Sequence, residues 1–568
     1  MVDHSPNNVS SADGWSRRGF LRSAAALAAV PVLLAADPAV AAAELPGFPA
    51  EVELYRSAYR NWVGEITADG LWACAPADAG QVLSVVDWAW RNGWRVRARG
   101  SSHGWSPLTI TEGTGAGDKV LLVDTASRLT GLSLDSASAV RAGTGVTLEA
   151  LLTFLEGHGL GLTAAPAPGD LTLGGALAID AHGTAVPADG EDPLPGHTYG
   201  SLSNLVLSLT AVVWDESTGA YVLRTFRRDE ADCAALLAHL GRALVTEVVL
   251  RVGADSSLRC VSRTDIPAAE LFAAPGFGGR TLDGFVRRSG RVEAIWFAFT
   301  EYPWLKEWSV APVRPLTSRH VTSPYNYPFS DNVPTVVADL VGRMVSDAAW
   351  YLAPVLGNTQ LDVAALGLVA TLSSDIWGAS KNTLLYIRPT TLRLGANGYA
   401  VLTRRADVQR VVHEFTSFYR ERLTAYAASG RFPVNGSVEI RVTGLDEASD
   451  AGVAGAQVPL LSAVRPREGA DTAVWLDVLT LPGTPHAEAF LRELEEFLFE
   501  TFEGTRVEWS KGWGYTESGV WSDEVVLGTR VPGSFGGAVW DAAVETLDRL
   551  DPHRVFSNGF LDGVLVRR

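Results

Sequence analysis

A short stretch of β character, Trp94-Arg95-Val96-Arg97-Ala98-Arg99, runs directly into Gly100-Ser101-Ser102-His103-Gly104-Trp105-Ser106, and no other feature constrains the chain as much. Ahead of it Val82, Leu83, Val86 and Trp90 recur at helical spacing and stop at Asn92-Gly93. The order is therefore helix, turn, strand, glycine loop. Two glycines let the backbone approach a ligand closely, and successive N–H groups in such a loop can wrap a phosphate. By itself the motif also suits a surface turn with an incidental histidine. The rest of the chain has to decide.

A second glycine cluster follows, Pro166-Ala167-Pro168-Gly169-Asp170-Leu171-Thr172-Leu173-Gly174-Gly175-Ala176-Leu177. It reads as a Pro-rich turn, an N-cap at Asp170 or Thr172, and a small-residue helix whose N-terminus faces a pyrophosphate. Ala178, Ala181, Gly183 and Ala185 prolong the small side chains; close helix packing without a ligand is the alternative. Gly143-Thr144-Gly145 invites a dinucleotide-fold reading, but Leu148 stands where the third glycine belongs. Strand-like runs at 120–123, 140–141 and 204–214, the last forming a hairpin with 221–226 across Ser217-Thr218-Gly219, make residues 46–252 one mixed α and β domain.

Beyond Val252 the stretches grow longer and more aromatic, with Trp296-Phe297-Ala298-Phe299, Trp304 and Trp308, so a separate substrate domain is expected. In the run 333–377, Val336, Leu340, Val341 and Met344 recur helically while Pro354, Gly357 and Gly367 interrupt, which favours core helices over a membrane span. Several of the 18 tryptophans fall in this domain and suit the wall of a large apolar cavity. From Gly504 onward glycine and mixed polarity return, as if the chain rejoins its first domain.

The 568 residues allow two or three domains. Residues 1–43 read as an export leader: the twin-arginine pattern Ser16-Arg17-Arg18-Gly19-Phe20-Leu21, an alanine-rich apolar run, and Ala39-Val40-Ala41 as cleavage site. Twin-arginine export carries folded, often cofactor-loaded proteins, so a secreted redox enzyme is expected. A net charge of -17 argues against nucleic acid as a partner. Three scattered cysteines permit at most one disulfide, ten dispersed histidines offer no paired zinc spacing, and Gly-x-Ser-x-Gly and Walker motifs are absent. No metal and no obligate protein partner are expected.

Taken together, the leader, the His103 loop, the Pro-Gly then Leu-Gly-Gly helix start, and Tyr199-Gly200-Ser201-Leu202-Ser203-Asn204 resemble the vanillyl-alcohol-oxidase-type flavoproteins. Within them the chain is most similar to the type II, covalent-flavin cholesterol oxidases, with Ser437–Gly444 and Pro552–Asp562 as further matching segments. The resemblance implies an α+β, two-domain FAD fold with a substrate (cap) domain inserted before the C-terminal segment. Residues 44–255 and 504–568 would form the FAD-binding domain, and 256–503 the cap. It implies FAD joined through its 8α-methyl to His103, or hydrogen-bonded by His103 if the link is not made. Arg99, Gly100, Ser101, Ser102, Gly104 and Trp105 would surround the cofactor. Ser101 and Ser102 depart from the family's commoner glycines. Pro168, Gly169, Leu173, Gly174, Gly175, Gly183, Ser201, Asn204 and Asn558 would supply further cofactor contacts.

Oxidising an alcohol by hydride transfer needs a base for the hydroxyl proton and a stabiliser for the developing oxyanion. In Ser437-Val438-Glu439-Ile440-Arg441-Val442, alternation sets Glu439 and Arg441 on one strand face and the apolar residues on the other. A solvated ion pair on a half-buried strand has the same pattern. The family's Glu-x-Arg pair implies a catalytic role for both, with Glu293 as a third ionisable group tied to gating of the oxygen path. The implied reaction oxidises the sterol 3-hydroxyl with O2, gives H2O2, and shifts the 5-ene to the 4-ene. A transient contact with a membrane surface would deliver the sterol. The same fold also serves alditols, lactones and phenols, and a nonenzymatic sterol or lipid carrier is a further alternative.

Overall fold

The computed structural model describes residues 45–568, so the leader read at 1–43 lies outside the described residues. The first sheet runs, in spatial order, Glu53–Arg60, Thr67–Ala75, Val120–Asp124 and Arg95–Arg99. Its last two strands are parallel, and so are Thr67–Ala75 and Val120–Asp124. The helix Ala79–Asn92 crosses between them. The Asp78 side chain accepts from the Gln81 N–H at its start, and Gly93 ends it at φ 67, a left-handed conformation that glycine adopts without penalty. Val82, Val85, Val86 and Ala89 form its buried face.

A second sheet holds five antiparallel strands in the order Leu132–Ser136, Ala139–Gly143, Leu244–Arg251, Val206–Asp215 and Ala220–Arg227. The expected hairpin is its last pair, with Gly219 at φ 59 in the turn. Gly145 packs so tightly that a Cβ would fall 1.8 Å from the Thr125 carbonyl oxygen, so backbone packing rather than a dinucleotide explains that glycine.

The third sheet has nine strands, ordered Arg319–His320, Asp375–Ala379, Ser257–Arg263, Trp304–Val310, Arg291–Phe297, Ser437–Thr443, Thr472–Thr480, Gly395–Thr403 and Thr505–Val507. The helices Leu282–Ser289, Val408–Ala428 and Ala487–Thr501 share a core with Val438, Ile440, Val474 and Leu476. Thr505–Val507 still pairs with Tyr399–Val401, so the chain leaves this sheet after Val507 rather than at Gly504. It then rejoins the first part: the Val96 N–H reaches the Val555 carbonyl at 2.8 Å, and Tyr221 and Arg242 both bind Asp551.

The apolar run 333–377 is not interrupted where the glycines stand. Ala353–Ala370 is one helix with Pro354 in its first turn, where a missing N–H costs nothing. A Cβ on Gly357 would meet the Ala298 carbonyl oxygen at 2.0 Å, and one on Gly367 the Phe329 ring at 2.2 Å. Those glycines admit neighbours against the helix.

Candidate active site

A cavity of about 450 Å³ extends from the His103 loop to the middle of the nine-stranded sheet. At the loop end, a Cβ on Gly100 would lie 1.9 Å from Thr172 Oγ1, while one on Gly104 would meet nothing within 4 Å. Ser102 takes φ 57, a conformation disfavoured for any residue with a Cβ. The N–H groups of Ser101, Ser102, His103 and Gly104 donate to no acceptor among the described residues, whereas those of Trp105 and Ser106 both reach the Ser510 carbonyl. Four successive unclaimed donors beside open space fit a phosphate-bearing cofactor such as FAD. His103 stands over them with its ring stacked on Trp62, centroids 4.3 Å apart, and Nε2 bound to Asp170 Oδ2 at 2.7 Å.

The helix start behaves differently from its expectation. Leu173–Ala178 is capped by the backbone of Thr172, and the N–H groups of Leu173 and Gly174 bond the carbonyls of Val146 and Thr144 at 2.7 and 2.8 Å. Those donors are already used, so they are not free for a pyrophosphate. Gly174, Gly175 and Gly183 do line the cavity, as does Pro168; Leu173 is buried beneath it and Gly169 lies outside, near Glu149 and Leu385. Arg99 lines the cavity while its guanidinium pairs with Asp124 at 2.8 Å. Ser201 and Asn204 are fully buried away from it: Ser201 binds Asp446, and Asn204 accepts from Arg228. Asn558 holds the Pro107 carbonyl at 2.9 Å and caps the helix Gly559–Val564. The side-chain hydrogen bonds of all three are spent within the protein, and of the three Asn558 supports the loop, at Pro107.

At the sheet end, alternation works as the sequence predicts, with Val438, Ile440 and Val442 buried opposite Glu439 and Arg441. The register sets Glu293 across from Arg441, and Glu439 across from Asp477. Each donor group of the guanidinium holds a different carboxylate: Nε donates to Glu293 Oε1 at 2.8 Å, Nη1 to Asp477 Oδ2 at 3.0 Å, and Nη2 to Glu439. Lys306, across from Glu293, sits 3.4 Å from Glu293 Oε2 and 3.3 Å above the Tyr386 ring, while the Tyr386 hydroxyl donates to the same oxygen. Lys511 donates to Asp477 Oδ2 at 3.0 Å. With the Arg441 and Glu439 side chains only 16% exposed, this is no solvated surface pair.

Burial by itself raises the pKa of Glu293, but Arg441 and Lys306 together with the Tyr386 hydrogen bond outweigh it and hold the pKa at about 2. Burial lowers the Lys306 amine, against the pull of Glu293. Arg441 is driven well above its ordinary value despite burial, because Glu293, Glu439 and Asp477 surround it. A fixed cation beside a carboxylate at the end of a cavity can steady an oxyanion while a base removes its proton.

Comparison with known proteins agrees with this geometry. A family model described as "FAD binding domain" matches residues 72–218, and one described as "Cholesterol oxidase, substrate-binding" matches 257–566, more than half of the chain. The chain belongs to the cholesterol oxidase family. The solved structure of a solvent-stable cholesterol oxidase superposes with a TM-score of 0.90 at 52% identity, covering 92% of this chain and 99% of that one. The crystal structure of the cholesterol oxidase from B. sterolicum gives 0.88 at 42% identity with the same coverage. L-gulonolactone oxidase from Mus musculus is 24% identical over 248 residues, 43% of this chain; the match spans about half of that enzyme, 49%. The cholesterol oxidase fold, an FAD-binding part joined to a substrate-binding part, is the fold described above.

Five charged or polar groups of this cholesterol oxidase-type site escaped the sequence: Lys306, Tyr386, Asp477, Glu508 and Lys511. Two left a trace. Lys306 alternates with Trp304 and Trp308, and all three line the cavity. Asp477 is a lone charge in the apolar strand Thr472–Thr480. The local pattern at Asp170 offers only a helix cap, a place that Thr172 takes, and its contact with His103 depends on a loop path that no local pattern shows.

Proposed function

We propose that this chain is an FAD-dependent oxidase of the 3-hydroxyl of cholesterol or a related 3β-hydroxysterol, with O2 as acceptor and H2O2 as by-product. On this reading it also isomerises the 5-ene ketone to cholest-4-en-3-one. The observation that carries the proposal is that the Glu439–Arg441 pair and the open loop at His103 face one cavity, walled between them by Trp304, Phe297, Phe329, Val333 and Val337. FAD, when bound, supplies the hydride acceptor and passes electrons on to O2.

Arg441 donates to the substrate oxygen as its negative charge grows, and three carboxylates keep that cation in place. Glu439 takes the hydroxyl proton; its side chain is 16% exposed, against 2% for Glu293 and 0% for Asp477, so it is the most accessible carboxylate of the trio. In the isomerisation Glu439 moves a proton from C4 to C6, across a face of the sterol held dry by the aromatic wall. Glu293 is the second partner of Arg441 and the group tied to the oxygen path. His103 would hold the flavin covalently: Asp170 engages Nε2, which leaves Nδ1 for the bond.

Two further parts belong to the same proposal. Export by the twin-arginine route rests on Arg17-Arg18 and its apolar sequel. Transient contact with a membrane surface is supported by Leu366, Val369 and Leu372 at the end of the helix Ala353–Ala370, whose inner face lines the cavity, and by Val313 and Leu316 on the loop before Arg319, all more than 70% exposed.

The test is the visible spectrum of the purified protein under anaerobic conditions, before and after micellar cholesterol. A flavin band that bleaches and returns with air is expected. A band that persists with sterol but bleaches with sorbitol or a gluconolactone overturns the substrate, and a colourless protein overturns the cofactor. Glu439→Gln should slow isomerisation so that the 5-en-3-one accumulates; unaltered isomerisation would remove Glu439 from that role.

A further inference from the structure

Glu293, Glu439, Asp477 and Glu508 meet Arg441, Lys306 and Lys511 in one connected cluster whose side chains are no more than 16% exposed. Ordinary ionisation leaves four negative charges against three positive. An excess charge that water cannot screen is relieved by binding one more proton.

Two atoms mark where that proton belongs. Asp477 Oδ1 and Glu508 Oε2 are buried with no hydrogen-bond partner among the described residues, and both lie within 2.9 Å of the point a Cβ on Gly398 would occupy. The opposite oxygens are engaged: Asp477 Oδ2 accepts from Arg441 and Lys511 at 3.0 Å each, and Glu508 Oε1 lies 3.8 Å from Lys511. Two carboxylates thus turn their unpaired oxygens toward one gap that only a glycine leaves open.

We propose that Asp477 and Glu508 hold one proton between them, and that this proton sets how strongly Asp477 competes with Glu439 and Glu293 for Arg441. Asp477 is thereby a positioning residue acting through Arg441. Glu439 stands directly across the strand pair from it, so an ionised Asp477 repels Glu439 and draws on the same guanidinium. The groups facing Asp477 are Glu439 and Arg441 on the strand Ser437–Thr443, Glu508 and Lys511 on the segment after Val507, and Glu293 with Lys306 beyond Arg441; Gly398 brings no charge. Burial and then the Glu508 carboxylate raise Asp477 to about 7 against the pull of both cations, while Lys511 and His182 hold Glu508 well below the usual carboxylate range despite its burial, so the shared proton rests mainly on Asp477 and is exchanged near neutral pH. The competing holder is His182, whose Nε2 lies 3.9 Å from Glu508 Oε2 and whose Nδ1 is 2.9 Å from the Gly183 carbonyl.

The kinetic consequence rests on the sterol oxidase reading; the shared proton is a property of the folded holoprotein, and the experiment separates the two. Melting temperatures are followed between about pH 5 and about pH 9 for the parent, Asp477→Asn, Glu508→Gln and His182→Gln. An acid whose folded pKa is raised stabilises the fold below its unfolded value and loses that contribution as pH rises through the folded one. The parent should lose stability through about pH 7, and Asp477→Asn and Glu508→Gln should each flatten that loss while His182→Gln retains it. The rate of anaerobic flavin bleaching by cholesterol should show the same midpoint, displaced at least tenfold in proton concentration in either carboxyl variant. Because buried Glu495 is also raised to about 7 in every variant, the readout is the difference from the parent: a pH dependence in both carboxyl variants identical to the parent's, or one flattened in His182→Gln, overturns the proposal. Should Asp477→Asn fail to fold, Glu508→Gln decides. If no variant or parent bleaches with cholesterol, the sterol reading fails while the melts still judge the proton.

Discussion

At the loop end of the cavity the open donors are backbone N–H groups of four consecutive residues, whereas at the sheet end seven charged side chains converge from segments spread between Glu293 and Lys511. The loop depends on where a Cβ is absent, at Gly100, and it accepts serines at 101 and 102 because its donors do not belong to side chains. The sheet end depends on three cations shared among four carboxylates that come from several strands. A backbone site is therefore vulnerable to added volume, and a charge cluster to the loss of one member.

The largest test of that difference is Arg441→Met, which leaves Glu293, Glu439 and Asp477 without their common partner. A stability loss of about 3–5 kcal/mol in urea is expected, with flavin bleaching slowed ~100-fold or more; a mild variant would mean that the three carboxylates do not depend on Arg441. Gly100→Ala should cost about 1–3 kcal/mol, because the new Cβ would sit 1.9 Å from Thr172 Oγ1. Its loss should show as a lower flavin-to-protein absorbance ratio, and an unchanged ratio would show the loop to be less tight than the sheet end.

Lys306→Met sharpens the comparison through pH. Glu293, held at about 2, contributes stability above its unfolded value that is lost as pH falls toward the folded one. Removing Lys306 leaves Arg441 and Tyr386 to hold it, so acid unfolding followed by circular dichroism should begin about one pH unit higher. The smallest effect is expected from Ser102→Gly: relief at φ 57 should raise stability by under about 1 kcal/mol, since the added chain entropy of glycine offsets part of the gain.

The readable parts of this protein share one physical character, locality. The helix Ala79–Asn92 with its end at Gly93, the hairpin at Gly219, and the inward face of Glu439 and Arg441 each follow from dihedral preference or side-chain alternation within a few residues. The misreadings came where a residue's partner is distant. Gly357 and Gly367 looked like helix breaks but admit Ala298 and Phe329. Leu173 and Gly174 looked like phosphate donors, yet the 144–146 turn takes their N–H groups. Ser201, Asn204 and Asn558 looked like cofactor contacts but are spent on Asp446, Arg228 and the loop at Pro107.

By itself the sequence determined the strand-to-loop passage at His103, the two-part α and β organisation, and a Glu-x-Arg pair on one strand face, because backbone stereochemistry and a period of two act over neighbouring residues. Only the tertiary structure decided that Glu293, Lys306, Asp477, Glu508 and Lys511 surround that pair, and that Asp170 holds His103. Strand register and chain return bring those charges within 3 to 4 Å, and at such distances in a buried site their mutual energies outweigh any preference a single segment carries.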